Sequence, residues 1–310
     1  MLTVPMDVLT RHPVRKTRGQ KRLFLNDTAA YCQSLGYACR EETGAFGCRN
    51  LIIGDPEHAE YLITAHYDTC AGLPIANYLT PCNLGLFCLW QAVLTAAILL
   101  PCMLLASILS RITGREILGY LAGWGLLWTE IILMLIGPAN PSNTNDNTSG
   151  VVALLEIAKS FPTIRRSRVC FVLFDLEEAG MLGSSAYRKA HKSQTDRQTV
   201  VNLDCVGDGD TLLFFPTRHL KKEEKRLHFL CQAEGCYGKK RIAIRRSGFS
   251  FYPSDQVNFP FGVGVCALQK RKNLLYLGRI HTKKDTVLDY TNVNLLRAAL
   301  ITCICRDAVQ

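Results

Sequence analysis

Between Thr69 and Ser110 the chain carries no charged residue, and within that stretch Leu84 to Leu109 is 26 residues of nearly continuous hydrophobicity. At about 1.5 Å rise per residue, such a helix exceeds the roughly 30 Å hydrocarbon core of a bilayer, so it spans with tilt or with a kink at Pro101. After the short polar link RITGRE, Ile117 to Gly137 forms a second apolar run of 21 residues. Together the runs predict a transmembrane helical hairpin over residues 83–137, through which the chain meets the lipid bilayer. The other way to use two such runs is as buried core helices of a soluble protein. Core helices usually keep a polar stripe, and the first run has none. Glu130 is the exception inside the second run. A charge at that depth is costly, so the residue is expected to face the partner helix, to be protonated, or to lie close to the headgroups.

Flanking charge predicts the orientation. Arg111 and Arg115 stand against Glu116 in the link, whereas eight Lys or Arg precede the first run and most of the rest follow the second. The positive-inside rule therefore puts the bulk of the chain on the cytoplasmic side. The 14 cysteines agree, being scattered through apolar runs such as SRVCFVLF and ITCICR rather than spaced as a disulfide framework. The N-terminus MLTVPMDVLTRHPVRK lacks the apolar core of a signal peptide.

At 310 residues the chain has room for one large domain. Its formal charge of +10 is divided between a cluster at Arg15–Arg22 and another at Lys239–Arg246. Each reads as a solvated face, with lipid attraction as the other possibility. No zinc-finger, ribonucleoprotein-type or helix-turn-helix pattern accompanies them, so a nucleic-acid partner is not expected.

Outside the hairpin the pattern alternates. A helix is predicted over residues 17–36, then strands at RNLIIG and YLITAHYD joined by a tight connection through DPEHAE. Beyond the hairpin come a helix at GVVALLEIAKSF, a strand at SRVCFVLFD, a helix at GMLGSSAYRKAHK and a strand at QTVVNLDCVG. TLLFFP, a helix over 219–234, strands at RIAIRR and VGVCALQ, and a helix after Tyr290 complete it. Apolar strands alternating with helices imply an α/β fold whose sheet is mostly parallel and covered on both faces. Reactive residues of such sheets gather at the carboxyl ends of strands. His66 and Asp68 end YLITA, Glu177 and Glu178 lie just beyond VCFVLF, Asp204 ends TVVNL, and His281 follows LLYLGRI.

Imidazoles and carboxylates are ligand types that suit zinc. An acid flanked by small polar residues, Asp146 in NDNTSG, is able to approach two metals closely enough to bridge them. The adjacent Glu177 and Glu178 diverge, so one can ligate while the other serves as a base toward water.

The series HYD, NDNTSG, DLEEAG, NLD and HTKKDT resembles metallopeptidase family 28, the co-catalytic zinc exopeptidases of the aminopeptidase Y and glutaminyl cyclase type. The resemblance covers nearly the whole chain except residues 83–137. It implies a three-layer α/β/α zinc-exopeptidase fold with a mixed, mostly parallel central sheet. The domain would comprise residues 1–82 and 138–310, interrupted by the two-helix transmembrane insertion. It further implies two zinc ions and a peptide substrate. His66 would be a ligand of the first zinc, with Asp68 orienting it; Asp146 would bridge both; Glu177 would be the general base and Glu178 a ligand of the second zinc. Asp204 would complete the first site and His281 the second. Two departures stand out. Gln256 occupies the place after Ser-Asp where the family usually has histidine, and His66 and Asp146 are 80 positions apart instead of about twenty, an excess the hairpin mostly accounts for.

The function expected is a membrane-anchored zinc exopeptidase, foremost an aminopeptidase. A glutaminyl-cyclase-like acyltransferase with a single zinc and a non-catalytic scaffold on the same fold are the alternatives; a transporter component fits least, since two helices with one acid offer little pathway. If His66 and Asp146 share one metal site, the chain between them must leave and return on one side of the bilayer, which two spans allow.

Overall fold

The β-strand Val169–Phe174 is buried along its whole length and sends alternate side chains to opposite faces. Val169, Phe171 and Leu173 join the larger apolar core, whereas Cys170, Val172 and Phe174 meet Tyr187 and Phe259 on the other side. A strand apolar on both faces must be covered on both, and this produces three layers. The protein is described by a computed structural model covering residues 2–306 apart from 74 and 76; the other positions of the expected domain lie outside the described residues.

Helices α1 (Asp7–Arg11) and α2 (Arg18–Ser34) precede strands β1 (Cys39–Thr43), β2 (Arg49–Ile53) and β3 (Tyr61–His66). The long helices α3 (Leu84–Thr113) and α4 (Glu116–Ile136) follow, then α5 (Gly150–Ser160), β4 (Val169–Phe174), α6 (Leu182–Ala190), α7 (Lys192–Thr195), β5 (Thr199–Leu203) and β6 (Thr211–Pro216). The chain continues through α8 (Glu224–Cys231), β7 (Gly235–Tyr237), β8 (Lys240–Ile244), β9 (Gly262–Arg271), β10 (Leu274–Tyr276) and α9 (Tyr290–Arg306). The sheet order is β1-β2-β4-β3-β5-β9-β6-β8-β7, with β10 paired to β9. The sheet is mixed, as expected, though among the described residues four pairings are parallel and five antiparallel, so the parallel character is confined to the centre and to β6 with β8. Its centre is parallel through β4, β3, β5 and β9, while β1, β2 and β6 join antiparallel.

Helix α2 starts at a capping box in which Thr17 Oγ1 accepts from the Gln20 amide and the Gln20 side chain returns to Thr17. The predicted helix over 219–234 is shorter. A 3₁₀ turn at Leu220–Lys222 precedes α8, and the non-helical Glu223 separates them. The strands at RNLIIG and YLITAHYD are present as β2 and β3 but are not neighbours. β4 lies between them, antiparallel to β2 and parallel to β3, because the strand buried on both faces takes the interior position and displaces the more polar β2 outward.

Helices α3 and α4 pack against each other at small residues. A Cβ on Gly119 would meet Ala106 O at 2.3 Å, and one on Gly123 would meet Cys102 O at 3.0 Å. Glu130 faces the partner helix, its Oε2 3.6 Å from Cys102 Sγ. Only 6% of the most apolar stretch of α3 is buried, and 11% of that of α4, so neither is a core helix of the α/β layers. Both are long and apolar enough to cross a membrane.

The hairpin is attached to the domain at both ends. Phe87 of α3 meets Phe251 at 5.1 Å between ring centroids, and Tyr78 meets Trp90 at 4.9 Å. Lys16 Nζ donates to Leu135 O near the end of α4 at 3.0 Å. The outgoing and returning chain segments pair directly, Gly72 N donating to Pro138 O and Asn140 N to Cys70 O. The pairing stands two residues beyond Asp68 and six before Asp146, so both feet of the hairpin flank the carboxyl ends of the central strands.

Candidate metal centre

His66 is the last residue of β3, and neighbouring parallel strands β4 and β5 end level with it. The turn Thr144–Ser149, which opens α5, brings Asp146 over these ends. Asn147 holds the turn there. Its Nδ2 donates to Leu203 O at 2.9 Å and its Oδ1 accepts from Gly150 N at 3.0 Å and Cys205 N at 3.2 Å. Asp285 does the same from the C-terminal side, its carboxylate accepting from the amides of Asn145 at 2.8 Å and Asp146 at 2.9 Å. His281, four residues earlier at φ 61°, arrives on that loop rather than directly from a strand end. Asp68 accepts from the amides of Glu177 at 3.1 Å and Glu178 at 3.3 Å and so fixes the β4–α6 loop that carries both acids.

The seven residues singled out from sequence thus converge. His66 Nε2 lies 3.3 Å from Asp146 Oδ1, 3.6 Å from Asp204 Oδ1 and 4.0 Å from Glu177 Oε2. His66 Nδ1 lies 3.4 Å from Asp68 Oδ1. On the other side, His281 Nε2 is 3.0 Å from Asp146 Oδ2 and 3.4 Å from Glu178 Oε2. Two atoms each about 2.0–2.1 Å from one tetrahedral zinc ion stand about 3.3 Å apart. The spacing therefore suits ligands gathered about a cation.

Hydrogen bonding points the same way. Among the described residues, both ring nitrogens of His66, Asp204 Oδ1 and Glu178 Oε1 are buried without a hydrogen-bond partner. Such atoms cost about 1–3 kcal/mol each unless something else satisfies them. Burial pushes the Glu177 carboxyl well above the usual range, with Glu178 and Asp204 adding to the rise, and pushes Glu178 up to about 8. Burial opposes charge on His281, yet Glu178 and Asp146 outweigh it and raise the imidazole to about 10. The raised Glu177, Glu178 and His281 hold protons that a divalent cation would displace. The residues present fit zinc.

Sequence reading missed several contributors and put Arg15 in a basic cluster read as a solvated face, which the structure corrects, since Arg15 and Lys21 of that cluster are buried among polar partners. Arg15, fully buried, donates to Tyr67 O, Asn143 Oδ1 and Thr148 Oγ1, tying β3 to the Asp146 turn. Asp255, also fully buried, has both carboxylate oxygens without a hydrogen-bond partner, and burial raises it to about 7. Cys70 Sγ lies beside Glu178 and His281. Asp285 sits inside the motif HTKKDT and Cys70 two residues beyond HYD, each four positions from a histidine, which was the available signal; Arg15 had none. Gln256 is buried, its Oε1 accepting from Asn202 Nδ2 at 3.3 Å and its Nε2 donating to Tyr252 O at 2.6 Å.

The sequence matches the model of peptidase family M28 over residues 136–303, more than half of the chain. The chain belongs to peptidase family M28. Solved structures share this M28 fold. A Zn-dependent exopeptidase from Parabacteroides distasonis superposes with a TM-score of 0.61 at 15% identity, covering 97% of this chain and 96% of that one. The LapA aminopeptidase of Legionella pneumophila gives 0.57 at 14% identity, covering 98% and 70%. A glutaminyl cyclase from Macrostomum lignano gives 0.56 at 14% identity, covering 97% and 89%. No curated protein matches.

Proposed function

We propose that the protein is a membrane-anchored aminopeptidase that works with two zinc ions. Residues 1–82 and 138–310 form its peptidase domain, and residues 83–137 cross the bilayer as a hairpin. The observation that carries the reading is the division of Asp146, which turns one carboxylate oxygen to His66 and the other to His281. A carboxylate so placed suits a bridge between one zinc held by His66 and Asp204 and a second held by Glu178 and His281. Zinc in such a site supplies Lewis acidity and brings the pKa of water down to near neutrality.

The chain's own groups do the rest. Glu177 takes the proton of the attacking water and returns it to the leaving amine; it is held by burial beside His66 and has the raised proton affinity a general base needs. Asp68 orients His66 from its Nδ1 side and, through the amides of Glu177 and Glu178, keeps base and ligand in register. Exopeptidase action on a free N-terminus is supported by the aminopeptidase among the similar folds. The substrate is a peptide reaching a site flanked by the two feet of the membrane hairpin. The distribution of Lys and Arg supports a site on the cytoplasmic side.

The test is a set of free and N-blocked peptides offered to zinc-loaded protein in detergent. Release of N-terminal residues from free peptides alone is expected, and chelation should abolish it. Cleavage only of peptides with a free C-terminus, regardless of N-blocking, would refute the aminopeptidase assignment. The likeness to a glutaminyl cyclase motivates a second reading, an acyltransferase with one zinc per chain. The convergence of His66 and Asp204 on Asp146 favours two, and metal counting by mass spectrometry decides.

A further inference from the structure

Cys70 Sγ belongs to a group with ligand atoms of Glu178 and His281 in which all three lie within 4.8 Å of one another. The residue is 4% exposed, is not in a disulfide, and has its carbonyl pinned by Asn140 N at 3.0 Å. Asp146 Oδ2 faces His281 Nε2 at 3.0 Å. The His281 side thus has a group of three, a carboxylate, an imidazole and a thiol, with Asp146 reaching it through His281. On the His66 side the groups are His66, Asp146 and Asp204, and His66 with Glu177 and Glu178, of which Glu177 is kept as the base and Glu178 assigned to His281. Zinc with four protein ligands is closed, whereas zinc with three keeps a position for water or substrate.

We propose that Cys70 is the fourth protein ligand of the His281 position and closes it, leaving the His66 position as the open one beside Glu177. The inference rests on the two-zinc reading above. Coordination breaks the Cys70 S–H bond, forms a sulfur–metal bond and releases the proton to solvent. A zinc–sulfur distance of about 2.3 Å implies a sulfur-to-nitrogen separation near 3.6 Å, so the group tightens by about 1 Å at most. A thiolate also makes this position the more avid of the two for zinc.

Cobalt(II) titrated into the metal-free, full-length protein in detergent tests the assignment. The first equivalent is expected to raise a near-ultraviolet thiolate-to-cobalt charge-transfer band. In Cys70→Ser that band should vanish while the visible ligand-field bands persist, with affinity for the first equivalent weaker by at least about 10-fold. A wild-type protein holding two cobalt ions without the band, or a band undiminished in Cys70→Ser, overturns the proposal. Should the variant not fold, zinc-edge X-ray absorption of the wild type decides. A sulfur neighbour at about 2.3 Å supports ligation and a shell of nitrogen and oxygen alone refutes it. A wild type that binds one metal per chain, retained in His281→Ala, sinks the two-zinc reading and this proposal together. Two metals without sulfur sink only the latter.

Discussion

Burying an imidazole with both nitrogens unpaired is unfavourable, and His66 is tolerated because carboxylates on three sides prepare the place for a cation. Glu177 stands at the edge of this group, and its replacement separates holding metal from using it. Glu177→Gln keeps shape and removes the proton acceptor, so metal content should stay at the wild-type value while turnover falls by at least about 100-fold. Substantial residual hydrolysis by the metal-loaded variant would sink the assignment of the base. The same residues set a pH dependence for metal-free protein. Glu178 at about 8, Asp285 at about 7 and His281 at about 10 all lie above their unfolded values, in the first two chiefly through burial. The folded state then binds more protons than the unfolded state across roughly pH 4 to 10, and stability falls as pH rises through that window. Thermal unfolding after chelation should occur at lower temperature at pH 8 than at pH 5, and added zinc should offset the difference. A chelated protein more stable at pH 8 would contradict it. That an acid pair and two histidines would meet was legible in residue types and motif order. That Arg15 would hold the Asp146 turn was not, since its role leaves no mark in local sequence, and Asp285 was marked only by its place in HTKKDT.

At the scale of elements, legibility followed apolar content. The strands β4, β5 and β9 and the helices α3, α4 and α5 declare themselves by hydrophobic length or period. β1, with Arg40, Glu41 and Glu42, and the three-residue β7 and β10 are edge pieces stabilised by pairing with a neighbour, which local composition does not record. That β4 would lie between β2 and β3 was not legible for a related reason, because strand order is decided by which strand can be buried on both faces. Within the hairpin, contact depends on absent side chains. Gly119→Val would drive a branched Cβ into Ala106 O and Ser110 Oγ. It is expected to destabilise the packing of α3 on α4 by about 1–3 kcal/mol, read as a lower melting temperature of the detergent-solubilised protein. An unchanged melting temperature would show that the two helices do not pack in this way.

For the whole molecule, the placement of the hairpin is the organising fact. It departs just after His66 and Asp68 and returns just before Asp146, with its two feet paired through Gly72, Pro138, Cys70 and Asn140. Replacing residues 83–137 by a short flexible linker should move the protein from the membrane fraction to the soluble fraction while it still binds zinc. Recovery of the replaced protein in membranes would disprove the anchor. The sequence by itself determined the α/β character, the two apolar helices and the residue types at the strand ends, because hydrophobic runs and chemical identity are local properties. Only the tertiary structure decided that Asp146 divides its oxygens between His66 and His281, and that Asp285, 139 positions away, holds its turn. It also decided that the Cys70 thiol stands beside Glu178 and His281. These are distances through space between residues far apart in the chain, set by strand order and loop closure, and no local pattern encodes them.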